Sequence, residues 1–571
     1  MIPRRFPIFL CIAAASLCQI GCTAHRASVS EVAQGPRAAP IRLTIVGTND
    51  LHGWIGVLPT FAGYLSILRA DNPDGTLLLD AGDLFQGTLA ANLTEGAVVI
   101  DAYNYLGYHA SAIGNHEFDY GPEGPASVAL QPGDDPVGAL KARLRQAKFP
   151  MLAVNLYDGV TGDRPGWLHN DGTILLDVKG VKVGLLGLIT PSTPNATNPL
   201  NVASLRFGSL QPEALSAATS LRDRGAEVVI ALVHAGGKCT RYDNPRDLSS
   251  CDTETGEIFE LLQALPANTL DAVLAGHTHQ AIGHFVKGTP VIESWGLGRW
   301  FGLIELYVDP IQRNVIPELT TIQPVIPIVP TTFRGRTVLR DQKLDELLAP
   351  VLAQAELEQT RSLRVRVLDR LGRDRDGEGA LGDLLTDSLR EMERADIAIL
   401  NPGGLRADIE VGELTFGKIY ETLPFDDQIA SVELTGEELL RLLRVAYGER
   451  RGIFPVSGLK IQLSRCPGPN RFKGATLSDG AAILPQKIYR IVLPDFLARG
   501  GDGLGVVLGL VPSDRINLHQ RPQHTMRDEL IAFWQKRKRD LRAPQPDRIF
   551  FSAEAGSCAE ASSSINVRSD R

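Results

Sequence analysis

Seven side chains able to bind a metal ion occur in one recurring context: each stands at or just past the end of a short apolar run. I-R-L-T-I-V-G-T-N is followed by Asp50 and His52, and T-L-L-L-D-A-G by Asp83. S-A-I-G leads to Asn115 and His116, V-V-I-A-L-V to His234, and A-V-L-A-G to His277 and His279. In open α/β sheets, ligands gather outside the carboxyl ends of the strands. Imidazoles and carboxylates beside a buried sheet need polar partners to offset their desolvation. Asp50, His52, Asp83, Asn115, His234, His277 and His279 are too many for one tetrahedral ion. They suit two cations roughly 3.5–4 Å apart that share a carboxylate. Oxygen and nitrogen donors without a thiolate favour Zn, Mn, Co, Ni or Fe over copper(I) or an iron–sulfur cluster. His116 and Asp119 stand at i, i+3, where a carboxylate can hydrogen-bond an imidazole and favour its protonated form. Such a pair serves as a positioned acid.

These residues need elements to hold them. From 41 to about 309, runs of four to eight β-branched and leucine-rich residues, bounded by Gly, Asn or Asp, alternate with helical patterns, as in an α/β sheet. A proline-rich stretch, 310–330, follows. Then 341–360 carries Leu344, Leu347, Leu348, Val351 and Leu352 at helical spacing, a candidate connector. A second α/β region runs to about 551 and includes Thr435-Gly436-Glu437-Glu438, a capping box. The chain's 571 residues call for two or more domains, and its net charge of −8 gives no overall field that attracts a nucleic-acid polymer. Beyond the N-terminus no apolar run reaches the ~18 residues of a membrane-spanning helix.

Residues 1–22 read as a signal peptide: Arg4 and Arg5 precede an apolar stretch that closes on Ile20-Gly21-Cys22. That ending is similar to a lipoprotein signal, with Cys22 as the lipidated residue and 23–40 as a tether. Export to the periplasm or cell envelope permits disulfides. Cys239 and Cys251 flank a polar, turn-rich loop and are the expected pair; Cys466 with Cys558 follows by elimination.

T-N-D-L-H-G, D-A-G-D-L-F-Q-G-T, G-N-H-E-F-D-Y-G, V-H-A-G-G and A-G-H-T-H-Q together resemble the calcineurin-like metallophosphoesterases, and more narrowly the exported 5′-nucleotidase/UDP-sugar hydrolase family. The resemblance implies a four-layer α-β-β-α metal domain (41–335), a linker helix (336–360) and a C-terminal α/β substrate-binding domain (361–551); the small and polar residues 552–571 read as a disordered tail. It implies one metal on Asp50, His52, Asp83 and His279 and another on Asp83, Asn115, His234 and His277, with Asp83 bridging. It makes His116 and Asp119 the catalytic dyad. In the second domain it matches Asn401 and Arg406 of N-P-G-G-L-R, and Arg375, to phosphate binding. Phe425 and Phe496 match a base-sandwiching pair, and Asp502 a ribose-hydroxyl acceptor. Gly377, Asp383 and Asp426 depart from the pattern, each removing positive or adding negative charge near that pocket. The expected activity is release of phosphate from nucleoside 5′-monophosphates. The alternatives are 2′,3′-cyclic nucleotides or UDP-sugars as substrates, or a non-catalytic nucleotide-binding surface lipoprotein.

Overall fold

The computed structural model describes residues 39–552 apart from 125, 130, 170, 375, 449–451, 466–470 and 519–523. Cys22, Arg375, Cys466 and Cys558 lie outside the described residues.

The apolar runs that end in candidate ligands are strands of two six-stranded sheets. The first is ordered Thr321–Pro327, Trp300–Val308, Ile41–Thr48, Thr76–Asp80, Ala110–Ala112, Met151–Leu152. The second is ordered Ala281–Val286, Thr289–Ser294, Ala272–Ala275, Val228–His234, Val181–Ile189, Thr173–Val178. In each sheet the inner strands that carry candidate ligands run parallel, with antiparallel strands toward an edge. Parallel strands buried on both faces read as continuous apolar runs rather than alternating ones. Leu43, Ile45, Leu77 and Leu79 of one sheet meet Val183, Leu185, Ile230 and Leu232 of the other. The outer faces are covered by helices: Phe61, Leu65 and Tyr103 pack on the first sheet, Leu221, Ile258 and Phe259 on the second. The result is four layers, α-β-β-α, with the ligand-bearing strand ends of both sheets at one edge.

The linker helix is Gln342–Thr360, preceded by a short ribbon of Thr332–Phe333 and Arg336–Thr337. It therefore starts later than residue 336, where Asp341 caps it by accepting the Leu344 amide at 2.9 Å. Leu344 and Leu348 are buried against the first domain's helical layer, Val351 and Leu352 half-buried, and Leu347 exposed.

The second region builds a mixed five-stranded sheet ordered Val456–Ser457, Ile397–Ile399, Ile488–Pro494, Ile429–Thr435, Ile516–Leu518. Alternation decides its two cores: Ile491 and Leu493 face one, with Leu439 and Leu443, and Val492 faces the other, with Leu385 and Leu530. Thr435 and Glu438 form the expected capping box at the helix Gly436–Gly448. Two α/β domains joined by a helix are thus the architecture, and the described residues from 40 onward form one compact unit.

Candidate active site

The first domain collects its candidate ligands at one point by bending backbone sharply just past the strand ends. Asp50, His52, Asp83, His277 and His279 all have φ between 47° and 79°. This left-handed region is uncommon for non-glycine residues, and such strain persists only where the surroundings enforce it. Glycines clear the space. A Cβ on Gly114 would lie 2.2 Å from Asp83 Oδ1.

Six of the seven side chains, with His116, form overlapping groups. Asp50, His52 and His279 make one, Asp83, His234 and His277 another, and His52, Asp83 and His116 a third between them; within each group the ligand atoms lie within 4.8 Å of one another. Asp83 Oδ2 stands 3.7 Å from His52 Nε2 and 3.2 Å from His234 Nε2, so a single carboxylate faces both groups. Asn115 Oδ1 is 3.1 Å from His234 Nε2.

Hydrogen bonds from outside these groups test whether cations fit. His52 Nδ1 donates to the Gln86 carbonyl at 2.7 Å, and His234 Nδ1 to the Ala81 carbonyl at 2.8 Å. A carbonyl can only accept, so both Nδ1 atoms carry the proton. Each Nε2 then faces its neighbours: His52 toward His279 Nε2 at 2.9 Å, His234 toward the Asp83 and Asn115 oxygens. His234 Nε2 meets those oxygens favourably only with a proton or a cation between them, and imidazoles anchored through Nδ1 are a common form of metal ligand. Burial pushes His52 and His277 down to about 3 and His279 well below its usual value, keeping them neutral. Burial also pushes Asp50 up to about 7. Burial alone would lower His234, but Asp83, Asp50 and Glu117 outweigh it and raise it to about 10. The site therefore concentrates negative charge, which a proton or a metal ion must balance. Its donors fit divalent cations.

Beside this cluster, His116 Nδ1 and Asp119 Oδ2 are 2.5 Å apart, and the His116 amide donates to Asp83 Oδ1 at 2.9 Å. Burial would lower the His116 pKa, but Asp119 and Asp83 outweigh it and raise it.

The two domains meet over this edge around a cavity of about 500 Å³. From the first domain it takes Asp83, Asn115, His116, Asp119, His277 and His279; Asp50, His52 and His234 lie buried beneath it. From the second it takes Asn401, Arg406, Phe425, Phe496 and Asp502. Phe425 lies with its ring 5.7 Å from that of His116, and the Arg406 guanidinium is 5.8 Å from Phe425. Asp426 does not stand as an unbalanced charge in the pocket, because Arg527 pairs with it at 2.7 Å. Asp383 lies elsewhere, buried on the helix Ala380–Met392. The expected bridge between Cys239 and Cys251 is present.

Several residues that hold the site escaped the sequence reading. Glu117 accepts the amides of Asp83, Leu84 and Gly114 at 2.6–3.0 Å, tying two ligand loops together. Its signal was its place inside G-N-H-E. Glu293 accepts Gly237 N and Thr278 Oγ1, bracing the loop between His277 and His279. A carboxylate inside the apolar strand Thr289–Ser294 was the clue. Thr197 donates to Asp119 Oδ1 at 2.6 Å and carried no sequence signal.

Residues 43–281 match the family model described as calcineurin-like phosphoesterase, and 357–508 the one described as 5′-nucleotidase, C-terminal domain. A Bacillus subtilis protein named Endonuclease YhcR is 22% identical over 86% of this chain, which spans only 39% of that protein. A Vibrio cholerae protein named 5′-nucleotidase is 25% identical over 81% of this chain and 85% of its own length. The crystal structure of a 5′-nucleotidase precursor from Thermus thermophilus superposes with a TM-score of 0.71 over 90% of this chain and all of that one, at 24% identity, a likeness of fold. The chain thus carries a calcineurin-like phosphoesterase domain followed by a 5′-nucleotidase C-terminal domain.

Proposed function

We propose that the protein is an exported di-metal phosphohydrolase that releases phosphate from nucleoside 5′-monophosphates. One observation carries this reading: a single cavity joins the His116–Asp119 pair and the ligand cluster of one domain to Arg406, Phe425, Phe496 and Asp502 of the other. Its volume of about 500 Å³ suits a mononucleotide. Asp50, His52, Asp83 and His279 hold one metal, and Asp83, Asn115, His234 and His277 the other. When bound, these cations supply Lewis acidity, polarising the phosphoryl group and acidifying a water for in-line attack.

The remaining work falls to this chain's own groups. Asp119 holds the proton on His116 Nδ1 and is itself oriented by Thr197. The cationic imidazole then stabilises negative charge growing on the transferring group, an effect worth about 10²–10⁴-fold. Arg406, with a planar fork of donors, and Asn401 bind phosphate oxygens. Phe425 and Phe496 stack on the base and Asp502 accepts a ribose hydroxyl, so binding energy far from phosphorus orients the ester. Arg375 joins the phosphate set by its place in the sequence.

Export rests on the first 22 residues, with Cys22 as a lipid anchor. Among the described residues no helix is long and apolar enough to cross a membrane.

The test is phosphate release by the metal-reconstituted protein from AMP, UDP-glucose and 2′,3′-cyclic AMP. AMP is expected to be hydrolysed fastest, and both His116→Ala and Asp83→Asn to lose at least ~100-fold. Faster turnover of UDP-glucose or the cyclic ester reassigns the substrate. Bound metal with no release from any nucleotide overturns the reading in favour of a nucleotide-binding surface lipoprotein without catalysis.

A further inference from the structure

Phe425 reaches the cavity from a segment without regular structure, between the helix Phe416–Thr422 and the strand Ile429–Thr435. Such a segment holds an aromatic ring in place only if something fixes its backbone. One buried cation does so. Arg527, 5% exposed on the helix Met526–Arg537, donates from Nη1 to the carbonyls of Leu423 at 2.7 Å and Phe425 at 3.2 Å. Its Nη2 donates to Asp426 Oδ1 at 2.7 Å. The guanidinium lies 4.4 Å from the centre of the Tyr420 ring.

Tyr420 leads back to the other domain. Its hydroxyl accepts Asn92 Nδ2 at 2.6 Å, and Asn92 Oδ1 accepts the hydroxyl of Tyr120, the neighbour of Asp119, at 2.8 Å. A second strut runs alongside: Gln86 Nε2 donates to the Pro424 carbonyl at 3.2 Å, while the Gln86 carbonyl holds His52. A continuous set of contacts therefore connects the segment bearing His116 and Asp119 to the one bearing Phe425, with Arg527 at its end.

We propose that Arg527 is a positioning residue for base-bearing substrates: by gripping the Leu423 and Phe425 carbonyls and the Asp426 carboxylate while braced on Tyr420, it sets where the Phe425 ring stands over the cleft. This rests on the nucleotide reading above. Arginine suits the task because its rigid fork satisfies three acceptors at once, which a lysine ammonium on a flexible stem does poorly. Asp426 then has a role of its own in this chain, as the anchor that keeps the guanidinium turned toward the segment.

The experiment compares AMP with ribose 5-phosphate, which has the same ester and no base, in the metal-loaded full chain. Arg527→Met is expected to raise KM for AMP about tenfold, the scale of losing one base stack. Its kcat for AMP, and both constants for ribose 5-phosphate, stay within about twofold. Arg527→Lys recovers part of the loss. Tyr420→Phe, which keeps the ring and removes the hydroxyl facing Asn92, shifts KM for AMP the same way by a smaller factor. If Arg527→Met shows no cooperative thermal transition, Tyr420→Phe decides. Equal losses on both substrates, or an unchanged KM for AMP in folded variants, overturn the proposal. A wild-type protein that treats AMP and ribose 5-phosphate alike removes the nucleotide reading, and this proposal with it.

Discussion

Five of the seven candidate ligands sit on left-handed backbone, at a cost of about 1–3 kcal/mol each where no glycine relieves it. The surroundings must hold them there, and neighbouring backbone does much of it. Asp50 N bonds Gly82 O, His52 N bonds Asp83 O, and Asp50 accepts the His277 amide on both carboxylate oxygens. The ligand loops are thus laced to one another, and a fault in one passes to the next. Gly114 tests this. A methyl there would stand 2.2 Å from Asp83 Oδ1 and 2.5 Å from Asp83 N, so the shared carboxylate must move. Gly114→Ala is expected to lower kcat by at least about 100-fold and to cut bound metal below two per chain while leaving the circular dichroism of the fold intact. Full metal content with full activity would mean that Asp83 does not need its observed position.

At the scale of elements, the helix Ala380–Met392 is pinned to the strand Ile549–Ser552 by the arginine just before that strand, which faces several acids. Arg548 donates to Asp387 Oδ2 at 2.7 Å and lies 3.6 Å from Asp383 Oδ1, while Glu378 accepts the amides of Asp547, Arg548 and Ile549. Asp383 Oδ2 has no hydrogen-bond partner. Burial first, and then Glu378 and Asp387, push its carboxyl up to about 8 against the attraction of Arg548. The folded chain therefore keeps a proton that the unfolded chain loses above 3.8, so this group costs stability progressively from about pH 4 to pH 8. Asp383→Asn, which removes the charge and keeps the shape, is expected to raise stability by ~2 kcal/mol at pH 8 and to change little at pH 4. Thermal unfolding at the two pH values checks it, and an equal shift at both would show that ionisation is not the cause. The same element shows what the sequence could reveal. Asp383 stood out there as a charge near the phosphate pocket, but its helix turns it into the core, and helical direction relative to a distant strand is a tertiary fact. The strands were legible because burial on both faces writes itself as continuous apolar runs. The ligand set was legible because chemistry restricts the residue types past their ends. Thr197 and Arg527 were not legible, since each meets its partners across about 80 to 100 residues and nothing local marks the contact.

At the scale of the molecule, the candidate metal ligands and the side chains proposed to bind the base belong to different domains, so on that reading neither domain orients and hydrolyses a nucleotide alone. Among the described residues their contact includes the bonds Gln86 to Pro424 and Asn92 to Tyr420, the Tyr420 ring buried against the first domain's core, and the helix Thr193–Ala196 beside the turn Gly501–Gly503. Interfaces of this kind exchange their bonds with water at little net cost, which makes relative motion the default expectation. The linker helix Gln342–Thr360 buries Leu344, Leu348 and Ala355 against the first domain, and its last turn packs on the helix Phe416–Thr422 of the second, so a turning point falls beyond Thr360. If the cleft must open to admit substrate and close to stack the base, tying the domains together stops turnover without touching a catalytic group. The helices Leu89–Asn92 and Phe416–Thr422 approach within 8 Å and offer the site for an engineered disulfide. Its oxidised form is expected to turn over AMP at least about tenfold more slowly, with a thiol reductant restoring the rate. The wild-type chain, which carries only the Cys239–Cys251 bridge among the described residues, controls for the reductant. Unchanged turnover in the fully cross-linked protein would mean that substrate enters and leaves this arrangement as it stands, and that the linker works as a rigid spacer.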